Sequence, residues 1–363
     1  MQRIAVIGAG IAGLTVALRR ANAGNRVVLF EAAARVGGQL ASDVQNGFVI
    51  EHGAEGFVAR SEAVPALARD AGIAADLVDQ LEQRSFRFDG ARLIELAPGE
   101  AGRLLGFQVP ADELGRGIRS FRHGMAELPE HLVEVIGPQL ELRLGCAVDR
   151  VSPRPGGVTL FGPGADSEPL PFDAAVIATS ARSAATLLSD AIGPTAHALQ
   201  DSPLLSSLTV SLVFRRESVR HPLDGTGFIV PDPGQLEGVR AVTFSSSKLP
   251  HRAPASHALL RLFFRPSESE LGTLPDRAWV ERAERALGRA LSTSGPAEAA
   301  FVSRWPSALP VFDPAHRARV GALEAALVNR RIWLAGAAFH GSGIDAAIRS
   351  AENAARAINS DAE

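Results

Sequence analysis

Three glycines and one acid near the start of the chain have types and spacing suited to holding a pyrophosphate. They lie in Arg3-Ile-Ala-Val-Ile-Gly8-Ala-Gly10-Ile11-Ala12-Gly13, followed by the apolar run Val27 to Phe30 and then Glu31. Gly8 and Gly10 allow a tight turn and bring backbone against phosphate oxygens, and Gly13 lets a helix pack closely on a strand. A helix from Ile11 to about Ala23, stopped by Gly24, aims its positive N-terminal end at the anion. Glu31, 18 residues past Gly13, sits where a carboxylate takes both hydroxyls of an adenosine ribose and repels a 2′-phosphate. The pattern predicts a dinucleotide site. A signal peptide is the competing reading, because Arg3 precedes an uncharged stretch up to Arg19, but helix-breaking glycines and the lack of a small-residue cleavage site argue against it.

Other chemistry is sparse. Lys248 is the one lysine, tyrosine is absent, and Cys146 is the one cysteine, which excludes an internal disulfide and a thiolate metal cage. Lys248 lies in a serine-rich loop and is expected at the surface, and Cys146 is expected to be a small buried hydrophobe in a reducing compartment. No HExxH, DxDxDG or GxSxG pattern supports metal-assisted or serine hydrolysis. A net charge of −3, from 37 basic and 40 acidic residues, gives no global field for nucleic acid or an anionic membrane. No apolar run reaches the length of a transmembrane helix, so a cytoplasmic protein is expected.

The positioning elements follow from punctuation and periodicity. Arg35-Val-Gly37-Gly38-Gln39 supplies a second close backbone approach, and Gly47 to Glu55 follows it. Ser61 can cap a helix to about Ala71, and Asp89-Gly90 marks a hairpin. A helix opens at Phe121 and runs to about Ile136, with strands near Leu140–Leu144 and Ala147–Val151. Runs at Leu208–Phe214, Gly227–Val230, Ala241–Phe244 and Ala258–Phe264 predict a separate mixed or antiparallel sheet. Pro275 and Pro314 open helices to about Leu291 and Val328. Strand Arg331–Ala335 leads through Gly336 to Asp345 into a last helix, which makes a second glycine-rich strand-to-helix junction. The expected fold class is α/β, with a Rossmann-like domain from residues 1–95, 121–200 and 310–363. A second mixed β-sheet domain is expected from 201–309 with 85–120.

Several stretches carry a family resemblance: Glu31-x-x-x-Arg35-Val-Gly37-Gly38, Phe121-Arg-His-Gly124-Met-x-x-Leu-Pro129, Phe244 to Pro254, Arg304-Trp305 to Pro310, and Gly336 to Ile344. Over roughly residues 1–95 and 118–360 the chain resembles the flavin amine oxidase superfamily, and within it the protoporphyrinogen and coproporphyrinogen oxidases. The resemblance implies a glutathione-reductase-type flavoprotein fold. It implies FAD held by Gly8, Gly10, Ile11, Ala12, Gly13, Glu31 and Ala32, with Arg35, Gly37, Gly38 and Gln39 toward the ribityl-phosphate. Backbone at Val148 is implied at the adenine, and Trp305, Gly336, Gly341, Gly343 and Ile344 near the isoalloxazine. The substrate domain is reduced, because only a stub stands between Ile94 and Phe121 where the oxidases carry a helical insertion.

The implied reaction is hydride transfer from a substrate carbon to flavin N5, with O2 as acceptor and a porphyrinogen or other hydrophobic small molecule as substrate. Arg60 is the candidate for a substrate propionate and His340 for a proton relay over the flavin. Three readings stay open: a porphyrinogen oxidase, a desaturase, isomerase or amine oxidase acting on a smaller substrate, and a flavin- or porphyrin-binding protein without turnover. A homodimer is compatible with each. No lysine lies in Leu204 to Phe214, where amine oxidases of the superfamily place theirs.

Overall fold

A computed structural model describes residues 1–59, 61–104, 117–162 and 168–360, with the side chains of 359 and 360 set aside. Its first sheet is parallel and five-stranded. The strand β1 (Arg3–Ile7) lies at the centre. On one side come β2 (Arg26–Phe30) and then Leu140–Arg143; on the other come Ala174–Ile177 and then Ile332–Leu334. Ile4, Ala5, Val6 and Ile7 are buried on both faces, the continuous apolar run that a covered parallel strand requires. One face is covered by α1 (Ile11–Asn22) and the final helix, Ile344–Ser360. The other is covered by Val151, Val158, Leu160 and Phe172 from the antiparallel strands Arg150–Arg154, Gly157–Phe161 and Leu170–Phe172.

The second sheet has seven strands. Its order is Ala299–Pro310, Leu204–Arg215, His257–Phe264, Val239–Thr243, Gly227–Ile229, Phe86–Phe88 and Leu93–Glu95. All neighbours are antiparallel except Gly227–Ile229 with Phe86–Phe88. Alternation sorts the faces. Leu208, Val210, Leu212 and Phe214 pack on Trp279, Ala283, Ala286 and Leu287 of the helix Asp276–Leu291. Thr209, Ser211 and Val213 turn to the opposite face, where Val213 meets Ile50 from the strand Phe48–Glu51. A polar sheet face therefore looks toward the loop that follows Glu51.

Four expectations shift. The edge strand Ala299–Pro310 is not foreseen, because Pro306 and Pro310 argue against a central strand; an edge tolerates them. Residues 147–149 lie outside any strand, which begins at Arg150. The helix expected from Phe121 begins at Glu127. Strand Ile118–Phe121 pairs with Phe57–Val58 and Leu77–Asp79, so the end of the 85–120 segment joins elements of the first unit and not the seven-stranded sheet. The Asp89-Gly90 turn, the last helix and both proline-opened helices stand as expected. Among the described residues no helix is long and apolar enough to cross a membrane.

Candidate functional site

The glycine turn forms because each glycine meets a different obstacle. Gly8 has φ +103°, and a Cβ there would lie 2.6 Å from the Ala178 carbonyl oxygen. A Cβ on Gly13 would lie 1.9 Å from the Gly8 oxygen, so α1 docks only because Gly13 has none. Gly10 differs, since its Cβ position has no protein atom within 4 Å. It is also the N-cap of α1, and no side chain caps the helix. The first N–H groups of α1, at Ile11 and Ala12, thus border open space beside a positive helix end, which suits a pyrophosphate.

Glu31 is held by N–H donors from Ala9 and Ala33, each at 2.8 Å and each on a different carboxylate oxygen. Each oxygen keeps a lone pair for a ribose hydroxyl. The Cys146 N–H bonds the Glu31 carbonyl at 2.8 Å, which brings the segment leading to Val148 along this end. Cys146 and Val148 are half-buried, Ala32 is exposed, and Arg35 donates to the Val36 and Gly38 carbonyls at 3.0 and 2.8 Å. Arg35 therefore shapes the second glycine loop. That loop is fastened beside the first by the Gly37 N–H to the Ala9 carbonyl, 2.8 Å, and a Gly10–Gly37 bridge.

The second junction closes on the first. Gly336, at φ +114°, has its Cβ position 3.3 Å from the Ala12 side chain, and its N–H donates to Ser350. Gly343, at φ +96°, leads into Ile344 and the final helix. Arg60 lies outside the described residues. His340 is exposed, and its Nε2 stands 3.1 Å from Glu324 on the helix Pro314–Leu327. The clefts it lines are bounded by Glu324, Val320, Leu327 and Trp333 among others, and one of them also reaches Gly341.

The end of the Gly47–Glu55 stretch, to which the sequence assigns no role, sits between the two sheets. Residues 52–55 press on the second glycine loop: the Ala54 N–H bonds the Gln39 carbonyl at 3.0 Å, and a Cβ on Gly53 would lie 1.8 Å from that oxygen. Trp305 Nε1 donates to the His52 carbonyl at 2.7 Å, and Gln39 Nε2 to the Ala308 carbonyl at 3.0 Å. Arg261, 2 % exposed, donates from Nη2 to the carbonyls of Gly53 and His52 at 2.6 and 3.2 Å. Glu55 accepts from Ser245 and, at 2.9 Å, from Lys248. This corrects the surface expectation for Lys248, whose side chain is only 14 % exposed. Burial acts to raise the Glu55 carboxyl, but Lys248, Arg261 and the hydrogen bonds outweigh it and hold it down at about 2. Glu51 behaves oppositely. Burial pushes it up to about 7 against Arg252, Ser42 and the Met125 N–H. Arg252, 3.4 Å from Glu51, is tied to Ser120 and the Phe121 carbonyl.

Residues 98–359 match the model of flavin containing amine oxidoreductases, and residues 6–71 match an NAD(P)-binding Rossmann-like domain. The chain belongs to the flavin-containing amine oxidoreductase family. Coproporphyrinogen III oxidase of Propionibacterium freudenreichii is 29% identical over 240 residues, covering 65% of this chain but only 44% of that protein. The Bacillus subtilis enzyme of the same name is 21% identical over 448 positions, covering 94% of this chain and 95% of that protein. An alignment of 448 positions on a chain of 363 leaves at least 85 positions of that relative without a counterpart here. A crystal structure of a provisionally named protoporphyrinogen oxidase from Exiguobacterium has the same fold, with TM-score 0.81, 22% identity and 99% of each chain covered. The cofactor is FAD, and the open Gly10 position, the uncapped helix end and the free lone pairs of Glu31 fit its pyrophosphate and ribose.

Proposed function

We propose that this flavoenzyme oxidises a porphyrinogen-type substrate, losing hydride from a meso carbon and protons from pyrrole nitrogens, with O2 as final acceptor. The observation that carries the reading is the end-to-end match to a relative named coproporphyrinogen III oxidase. FAD, when bound, supplies the hydride acceptor. The N–H groups of α1 hold its pyrophosphate, Glu31 its ribose, and the 52–55 loop with Gln39 and Trp305 borders the ring end. Loss of hydride would leave a cation whose pyrrole N–H is acidic and passes its proton to solvent, so the chain needs no strong base at the reacting carbon. Strand Leu204–Arg215 contains no lysine, which counts against amine oxidation.

One observation favours a second reading, a desaturase or isomerase acting on a smaller substrate. The hairpin ends at Glu95, the next sheet partner begins at Ile118, and at least 85 positions of the relative have no counterpart here, so less chain is available to enclose a large substrate. Anaerobic titration with coproporphyrinogen III and protoporphyrinogen IX separates the two. Flavin absorbance that bleaches and then recovers in air supports the first reading. A yellow protein that stays oxidised with both compounds overturns it, and bleaching by a smaller substrate then supports the second.

A further inference from the structure

The loop at the ring end rests on more buried positive charge than negative. Among the described residues the only carboxylates that Arg252, Arg261 and Lys248 face are Glu51 and Glu55, and both arginines are almost wholly enclosed. Buried charges are ordinarily matched, because an unmatched one keeps its desolvation cost. Glu55 is already committed to Ser245 and Lys248, and Glu51 to Ser42, the Met125 N–H and Arg252. Arg261 touches neither carboxylate directly and spends one nitrogen on the His52 and Gly53 carbonyls and Thr209. Its Nε and Nη1 are buried and have no hydrogen-bond partner.

Hydride transfer delivers two electrons and one proton, so a flavin that receives it gains one negative charge unless a second proton follows. We propose that Arg261 is a positioning residue that braces the His52–Gly53 carbonyls beside the flavin and supplies the unmatched positive charge that favours its reduced, anionic form. This rests on the FAD assignment and not on the identity of the substrate. Charge near the flavin ring is one of the levers by which a protein tunes that cofactor. Glu55 moderates the lever, since of the two carboxylates that act on Arg261 through space it acts the more strongly.

The test is the two-electron midpoint potential of the FAD-loaded protein by dye equilibration, together with the dissociation constant of oxidised FAD. Arg261→Met is expected to weaken the preference for reduced over oxidised flavin at least tenfold, a fall of about 30 mV for a two-electron couple. Arg261→Lys keeps the charge but loses the fork, so it should restore most of that fall while binding oxidised FAD more weakly. Glu55→Gln should move the potential upward. A purely bracing Arg261 predicts weaker FAD binding in both oxidation states and an unchanged potential in Arg261→Met, and that result overturns the proposal. If Arg261→Met does not fold, Glu55→Gln decides: a rise supports the proposal, and an unchanged or lower potential overturns it. A wild-type protein that binds no FAD sinks the cofactor assignment itself, which is a different failure.

Discussion

Gly10 and Gly13 stand three residues apart and have opposite reasons for lacking a side chain. At Gly13 the obstacle is protein, so Gly13→Ala should lower unfolding free energy by about 1–3 kcal/mol, the usual cost of overpacking. At Gly10 there is no protein obstacle and φ is −70°, so Gly10→Ala should unfold within about 0.5 kcal/mol of wild type yet lose FAD affinity more than tenfold. Urea unfolding of the apoproteins and flavin titration check both, and a Gly10→Ala protein that keeps its FAD would refute the phosphate role. Glu51 yields a second prediction at this scale. Its native value near 7 lies above its ordinary 4.5, so between those values the native state binds the extra proton. Stability from Glu51 is therefore full below about pH 4.5 and lost as pH rises through 7, by up to about 3 kcal/mol. Wild type minus Glu51→Gln, measured by urea unfolding at pH 5 and pH 8, should show that loss; a pH-independent difference would refute it. The glycines and Glu31 are legible in sequence because they belong to one strand–turn–helix–strand unit with a fixed spacing, in which Gly13 meets Gly8 and Glu31 meets Ala9. Glu51, Glu55, Arg252 and Arg261 are not, because Arg252 reaches Phe121 across 131 positions and Arg261 reaches His52 across 209.

Elements bring those distant groups together, and one of them is a strand with prolines in it. Ala299–Pro310 carries Trp305 to the His52 carbonyl, and its place at the sheet edge explains both why Pro306 is tolerated and why the sequence hides the strand. The other strands of that sheet are readable from alternation, and α1 and the final helix from their glycine starts. Lys248 is misread for a related reason: a short helix, Ser245–Lys248, turns a serine-rich loop inward onto Glu55. The connection between Leu249 and the strand His257–Phe264 holds Arg252, which crosses to Ser120 and the Phe121 carbonyl and so ties the second sheet to strand Ile118–Phe121. Arg252→Ala removes the partner of a buried carboxylate and three hydrogen bonds, and should cost about 3–5 kcal/mol. Arg252→Ala/Glu51→Gln should recover part of that cost, since the orphaned charge is gone. Equal urea midpoints for the single and double variants would show that the ion pair contributes little to the tie.

At the scale of the molecule, the two sheets meet through the 52–55 loop and the charged cluster beneath it, and the proposed FAD site lies on the first sheet's side of that seam. The apolar cores of the two units are separate, one around α1 and the final helix and one around the helix Asp276–Leu291. Between them stand a small apolar contact at Ile50, Val213 and Leu259 and the buried ions. Ions that need matching are a weaker adhesive than apolar burial, so the seam should be the part of the structure most responsive to the cofactor. FAD at a hundred times its dissociation constant should add about 2.7 kcal/mol to unfolding, by mass action alone. With FAD in the proposed site, beside the loop that both units grip, the gain should appear as protection of amides from hydrogen exchange at residues 52–55 and along Ala299–Pro310 as well as in α1. If protection on FAD binding stays within the glycine turn and α1, the ring end does not couple the two sheets, and the buried charges hold the seam without the cofactor's help.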